Sequence, residues 1–173
     1  MIKSFLLLVL FLFTIVRLSS QDRTYTGTFE IMNQNSKQVI DVADADPRDG
    51  ALINQFQRTH DPNQRWSLYY ESPNYLHTYS IFSVNSDKVI ANPGSSSQVG
   101  TQMQQLTYNE GRNQLFEITN VGDGSMYMKN VASGLYLGIQ GSSKEDGAPL
   151  VQQTFTGQAN QRWYFIPSDV PHQ

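Results

Sequence analysis

The chain has 173 residues, a formal net charge of −3 at pH 7, 16% charged residues and no cysteine. That length suits one domain with a real core, and without cysteine its stability rests on packing and hydrogen bonds, not on disulfides. Lys and Arg are scattered, which argues against a basic stripe for nucleic acid.

The first element is a leader. Lys3 precedes an apolar run from Phe5 to Val16 that only Thr14 interrupts; Arg17 ends it, and Ser19, Ser20 and Gln21 follow. This is the charged, apolar and small-polar order of a secretory signal peptide. A membrane span needs about 20 apolar residues, so an uncleaved anchor is the weaker reading. Residues 1–20 are expected to be a signal and 21–173 the secreted, extracellular domain. Ser20 suits the last position before cleavage, whereas Leu18 is not the small residue usual two places earlier. After the signal no apolar run could cross a bilayer, and no Asn-x-Ser/Thr acceptor for N-glycosylation occurs.

The rest of the chain is a repeat. Asn63-Gln64-Arg65-Trp66 recurs as Asn160-Gln161-Arg162-Trp163, with a weaker copy, Asn113-Gln114-Leu115-Phe116, between them. The glutamines stand 50 and 47 residues apart, and Gly50, Gly100 and Gly147 repeat the same two steps. Three gap-free blocks follow, Phe29–Leu68, Tyr79–Ile118 and Met126–Phe165, within repeats at about 24–71, 72–121 and 122–168. Such a period marks a repeat architecture.

Each block reads as four short strands. The first alternates apolar residues at Phe29/Ile31, Tyr79/Ile81 and Met126/Met128. A polar turn leads to a second strand with Val39-Ile40, Val89-Ile90 or Tyr136-Leu137, and a loop to a third with Ile53, Met103 or Leu150. The fourth follows Asn-Gln at Trp66/Leu68, Phe116/Ile118 and Trp163/Phe165. No stretch keeps a helical period. Three units are too few to close a propeller, and a solenoid would need capping repeats. An all-β fold closed around a pseudo-threefold axis remains, with Trp66, Phe116 and Trp163 pointing into a shared core. Gln64, Gln114 and Gln161 are expected at strand starts, bonded to turn backbone as a structural part of the repeat.

Gln-x-Trp near the end of three consecutive units resembles the ricin-B-type (R-type) lectins, over roughly Thr24 to Pro167. The resemblance implies a β-trefoil, a six-strand barrel capped by three hairpins. It also implies binding of galactose- or N-acetylgalactosamine-type glycans on glycoproteins or glycolipids, with no catalysis and no cofactor. It assigns a sugar site to Asp41, Asn54, Phe56 and Asn63, with Gln64 behind them. An aspartate there accepts paired hydroxyls, a ring covers the apolar sugar face, and an asparagine both donates and accepts. At the corresponding positions the second repeat has Ala91 and Leu106, and the third has Gly138 and Gln153. One conventional site is therefore expected, with Phe56 a weaker platform than the commoner Trp.

From the residues alone, Asp41 also reads as a turn residue and Phe56 as core. Asp44, Asp46 and Asp49 read as a solvated acidic loop, since they lack the register of a calcium-binding loop. His60, His77 and His172 have no metal-ligand spacing, and no nucleophile–base arrangement stands out. The alternative function is a trefoil that acts through protein contacts, such as a protease inhibitor, and a third is the binding subunit of a toxin or enzyme carried by another chain. Oligomeric state cannot be read from the residues.

Overall fold

The structure is a computed structural model and describes residues 23–71 and 77–168. The expected signal segment lies outside the described residues. The first repeat forms β1 (Thr24–Asn33), β2 (Val39–Val42), β3 (Ile53–Phe56) and β4 (Trp66–Tyr70). The second forms β5 (Thr78–Ser83), β6 (Val89–Ala91), β7 (Gln104–Leu106) and β8 (Phe116–Asn120). The third forms β9 (Met126–Asn130), β10 (Tyr136–Ile139), β11 (Leu150–Gln153) and β12 (Trp163–Pro167). Among the described residues the helical segments are single 3-10 turns of three residues.

The first and fourth strands of each repeat close a barrel. β1 pairs with β4, β4 with β5, β5 with β8, β8 with β9, β9 with β12, and β12 with β1, all antiparallel. Closure leaves the barrel no free edge. The second and third strands pair as β2–β3, β6–β7 and β10–β11. Bridges Leu52–Gln104, Gln102–Val151 and Asn54–Pro149 tie these hairpins into a triangular cap. This is the β-trefoil, twelve strands in three repeats.

The core is built in threes. Ile31, Ile81 and Met128 from the first strands meet Ile40, Ile90 and Leu137 from the second strands. Ile53, Met103 and Leu150 follow, and Trp66, Phe116 and Trp163 close it; all are fully buried. Met103, expected on the third strand, stands immediately before β7. Burying each such side chain contributes about 1.5–3 kcal/mol. Both tryptophans donate Nε1–H to a core carbonyl, Trp66 to Ile40 (3.0 Å) and Trp163 to Leu137 (3.2 Å).

Gln64, Gln114 and Gln161 sit earlier than expected, inside the 3-10 turns Pro62–Gln64, Arg112–Gln114 and Ala159–Gln161, one residue short of the strand. The chain must reverse there, and the tight turn leaves loop backbone groups unpaired. Each glutamine satisfies them in the same way. Its Oε1 accepts from the N–H of Thr59, Asn109 or Thr156, at 2.8 Å each. Its Nε2 donates to the carbonyl of Gln57 (2.9 Å), Thr107 (2.9 Å) or Thr154 (2.8 Å). The shared glycines have φ of +85° (Gly50), +87° (Gly100) and +78° (Gly147), which disfavours any side chain there. That turn lets each N–H reach the next hairpin, at Gln105, Gln152 and Gln55 respectively.

Candidate functional site

Asp41, Asn54, Phe56, Asn63 and Gln64 line one open cleft of about 600 Å³ at the tip of the first repeat. Register brings them together. Asp41 on β2 lies opposite Asn54 on β3, and Val39 opposite Phe56, so the polar pair and the ring share a sheet face. The turn Pro62–Gln64 then swings two amides under the aspartate. Asp41 Oδ2 accepts from Asn63 Nδ2 (2.9 Å) and Gln64 Nε2 (3.0 Å). Asn63 Nδ2 also donates to the Val42 carbonyl at 3.1 Å, which fixes its rotamer. Among the described residues nothing donates to Asp41 Oδ1. Asn54 is half committed: its Oδ1 accepts from Gln102 Nε2 of the second repeat (2.8 Å), which leaves its amide as a donor.

Asp41 is only 6% exposed, whereas Phe56 is 36% exposed and stands at the rim. Asp41 is thus a strand residue with a buried base, not a turn residue, and Phe56 is not core. Burial pushes the Asp41 carboxyl up to about 6; the bonds from Gln64 and Asn63 pull it down, and the charges of Asp44 and Asp61 push it up.

Further groups line the cleft: Asp44, read from the sequence as part of a solvated acidic loop, and Asp61 and Asn85, which the sequence did not single out. Asp44 and Asp61 add two carboxylates to the rim, and Asn85 enters from the second repeat, its Nδ2 donating to the Ala45 carbonyl at 3.0 Å. Asp44 carried a readable signal. It sits at φ +55°, where the other repeats have Gly94 (+60°) and Gly141 (+61°). A side chain held in that conformation costs about 1 kcal/mol or more, and such strain gathers at functional sites. The neighbouring acidic residues are spent on the surface, Asp46 on Arg48 (2.6 Å) and Asp49 on Lys88 (3.0 Å).

The other two tips are built differently. In the second, Ala91 offers no acceptor; Asn113 Nδ2 turns to the Asn92 carbonyl (3.0 Å) and Gln114 Nε2 to Thr107 alone. In the third, Gln153 folds over Gly138, so close that a Cβ at 138 would lie 2.5 Å from its Oε1. That oxygen accepts from Asn160 Nδ2 (3.1 Å) and Gln161 Nε2 (3.2 Å). These are the counterparts of the two donors that Asp41 engages. The third repeat fills its own cup.

The fold is a β-trefoil with an acidic, ring-edged cleft at the tip of its first repeat. The chain belongs to the ricin-type beta-trefoil lectin domain-like family, whose profile matches residues 12–106 and 112–171. No curated protein matches the sequence. Among solved structures it is similar to the designed threefold-symmetric protein ThreeFoil, with 26% identity and a TM-score of 0.78 over 83% of this chain and 100% of that one. It is similar to an exo-beta-1,3-galactanase from Clostridium thermocellum at 27% identity and a TM-score of 0.77; 83% of this chain aligns, spanning 30% of the enzyme's chain. The C-half of the earthworm R-type lectin, solved in complex with GalNAc, shares the fold at 18% identity and a TM-score of 0.63, over 83% of this chain and 100% of that one.

Proposed function

We propose that the protein is a secreted lectin that binds terminal galactose- or N-acetylgalactosamine-type residues of glycoproteins or glycolipids through a single cup in the first repeat. The observation that carries this reading is Asp41: it lines the cleft together with Phe56, one carboxylate oxygen is clamped by Asn63 and Gln64, and the other has no donor among the described residues. A pyranose edge supplies two hydroxyl donors to such a carboxylate, and its C–H face covers the ring. The wet, open cleft suits a monosaccharide affinity near ~1 mM, about −4 kcal/mol. The GalNAc held by the earthworm lectin half supports the sugar class. The apolar run after Lys3 supports secretion.

Asp41→Ala is expected to abolish galactose-type binding on a glycan array while the far-ultraviolet circular dichroism stays unchanged. Wild-type binding by that variant would refute the site. N-terminal sequencing of material from the medium is expected to begin near Gln21.

A further inference from the structure

At the junction of the first and second repeats three aromatic rings surround a cation. The guanidinium carbon of Arg23 lies 4.6 Å from the centre of the Phe82 ring, 4.8 Å from Tyr108 and 5.2 Å from Tyr69. The rings stand as walls: Tyr69 and Phe82 are 5.2 Å apart at 73°, and Phe82 and Tyr108 are 5.2 Å apart at 54°. Tyr25 extends the Tyr69 side at 5.5 Å. Tyr69 and Phe82 also wall an adjoining recess of about 150 Å³ that Asp87 lines. Behind the box the buried Glu71 carboxylate accepts from Tyr108 Oη at 2.9 Å, which enriches that ring in electrons.

The fold does not require this box. By the repeat spacing, Tyr69, Phe82 and Tyr108 correspond to Thr119, Lys129 and Phe155 at the next junction and to Ile166, Met32 and Arg58 at the third. Three equivalent junctions therefore hold together, and one of them carries three rings. Arg23 is also an imperfect occupant. Among the described residues none accepts a hydrogen bond from its guanidinium, which has five N–H donors. The rings recognise its charge and leave its donors to water.

We infer that Tyr69, Phe82 and Tyr108 form a second binding site, an aromatic cage for a trimethylammonium group, which Arg23 occupies in the absence of ligand. A quaternary ammonium has positive charge and methyl surface but no donor, so it suits three ring faces better than an arginine does. Arg23 sits on an exposed stretch immediately before β1 and leaves the cage without disturbing a core contact. Held by the same chain, it competes at high effective concentration and weakens the apparent affinity for any incoming cation.

The test is a calorimetric titration of choline chloride into wild type, Arg23→Ala and Arg23→Ala/Tyr108→Leu, with ammonium chloride as the control. Arg23→Ala is expected to bind choline about tenfold more tightly than wild type. The Leu substitution should cancel that binding, and ammonium should not compete. Far-ultraviolet circular dichroism and an unchanged urea midpoint serve as the check that each variant is folded. In the wild type, the Arg23 side-chain proton resonances, shifted by the three rings, should move toward their free positions as choline is added. Co-sedimentation with phosphatidylcholine vesicles would show the group carried on a lipid; choline binding without it shows a soluble carrier. Absence of choline binding in folded Arg23→Ala, survival of binding in the Leu variant, or equal binding of ammonium would each overturn the cage.

Discussion

Asp41 holds a charge where the fold would rather hold none. Its carboxyl is raised from 3.8 to about 6 because the strand pair removes water from it faster than two amides replace that water. Below about pH 4 the group is protonated in both the folded and the unfolded chain, and its cost is absent. Between pH 3.8 and about 6 the unfolded chain is already ionised while the folded one stays protonated, so stability falls across that window and levels off above it. Asp41→Asn is therefore expected to raise the melting temperature of the ligand-free protein by a few degrees at pH 7 and by almost nothing at about pH 3. On the proposed reading sugar binding runs the other way, because hydroxyl donors need the ionised acceptor. Affinity is expected to fall about tenfold between pH 7 and pH 5 by calorimetry, following the ionised fraction of one group near 6. At the rim, Phe56→Trp is expected to tighten binding a few-fold through a larger stacking face, and Phe56→Ala to weaken it by a similar factor.

Turns and hairpins carry the next level. Gln161→Ala would orphan the Thr156 N–H and the Thr154 carbonyl in one turn, and is expected to cost about 2–4 kcal/mol, seen as a lower urea midpoint. Spacing made the Gln64 set legible in the sequence, since it sits beside an aromatic that cannot be missed. A second set at the same spacing passed unread. Gln55, Gln105 and Gln152 are fully buried, each bonded to a serine hydroxyl (Ser36, Ser86, Ser133) and to two carbonyls of a neighbouring hairpin loop. A glutamine on a strand reads as a surface residue, and only the closed cap shows it inside. The five cup residues were legible because a motif places them. Asp61 and Asn85 were not, because one comes from a loop and the other from another repeat. Gln153 was legible as the loss of a platform; that it replaces the missing carboxylate depends on a side-chain direction no pattern encodes.

Over the whole molecule, a threefold core coexists with three unlike tips, one of which carries the acidic cup, because the core and the tips are built from different residues. One cup per chain predicts a calorimetric stoichiometry near one. Since Gln153 and Gly138 block the third tip together, Gly138→Asp/Gln153→Trp is expected to clear the space, restore acceptor and platform, and raise the stoichiometry toward two. Gly138→Asp alone would collide with the Gln153 amide and leave the stoichiometry at one. The barrel has a further consequence. β1 pairs with β4 over Thr24–Phe29 and with β12 over Phe29–Asn33. The half of β1 that ends at Asn33 therefore waits for β12, and a nascent chain stopped anywhere before Trp163 exposes an open sheet edge. A ribosome must carry the chain through all three repeats before that edge is safe from sticking to its neighbours.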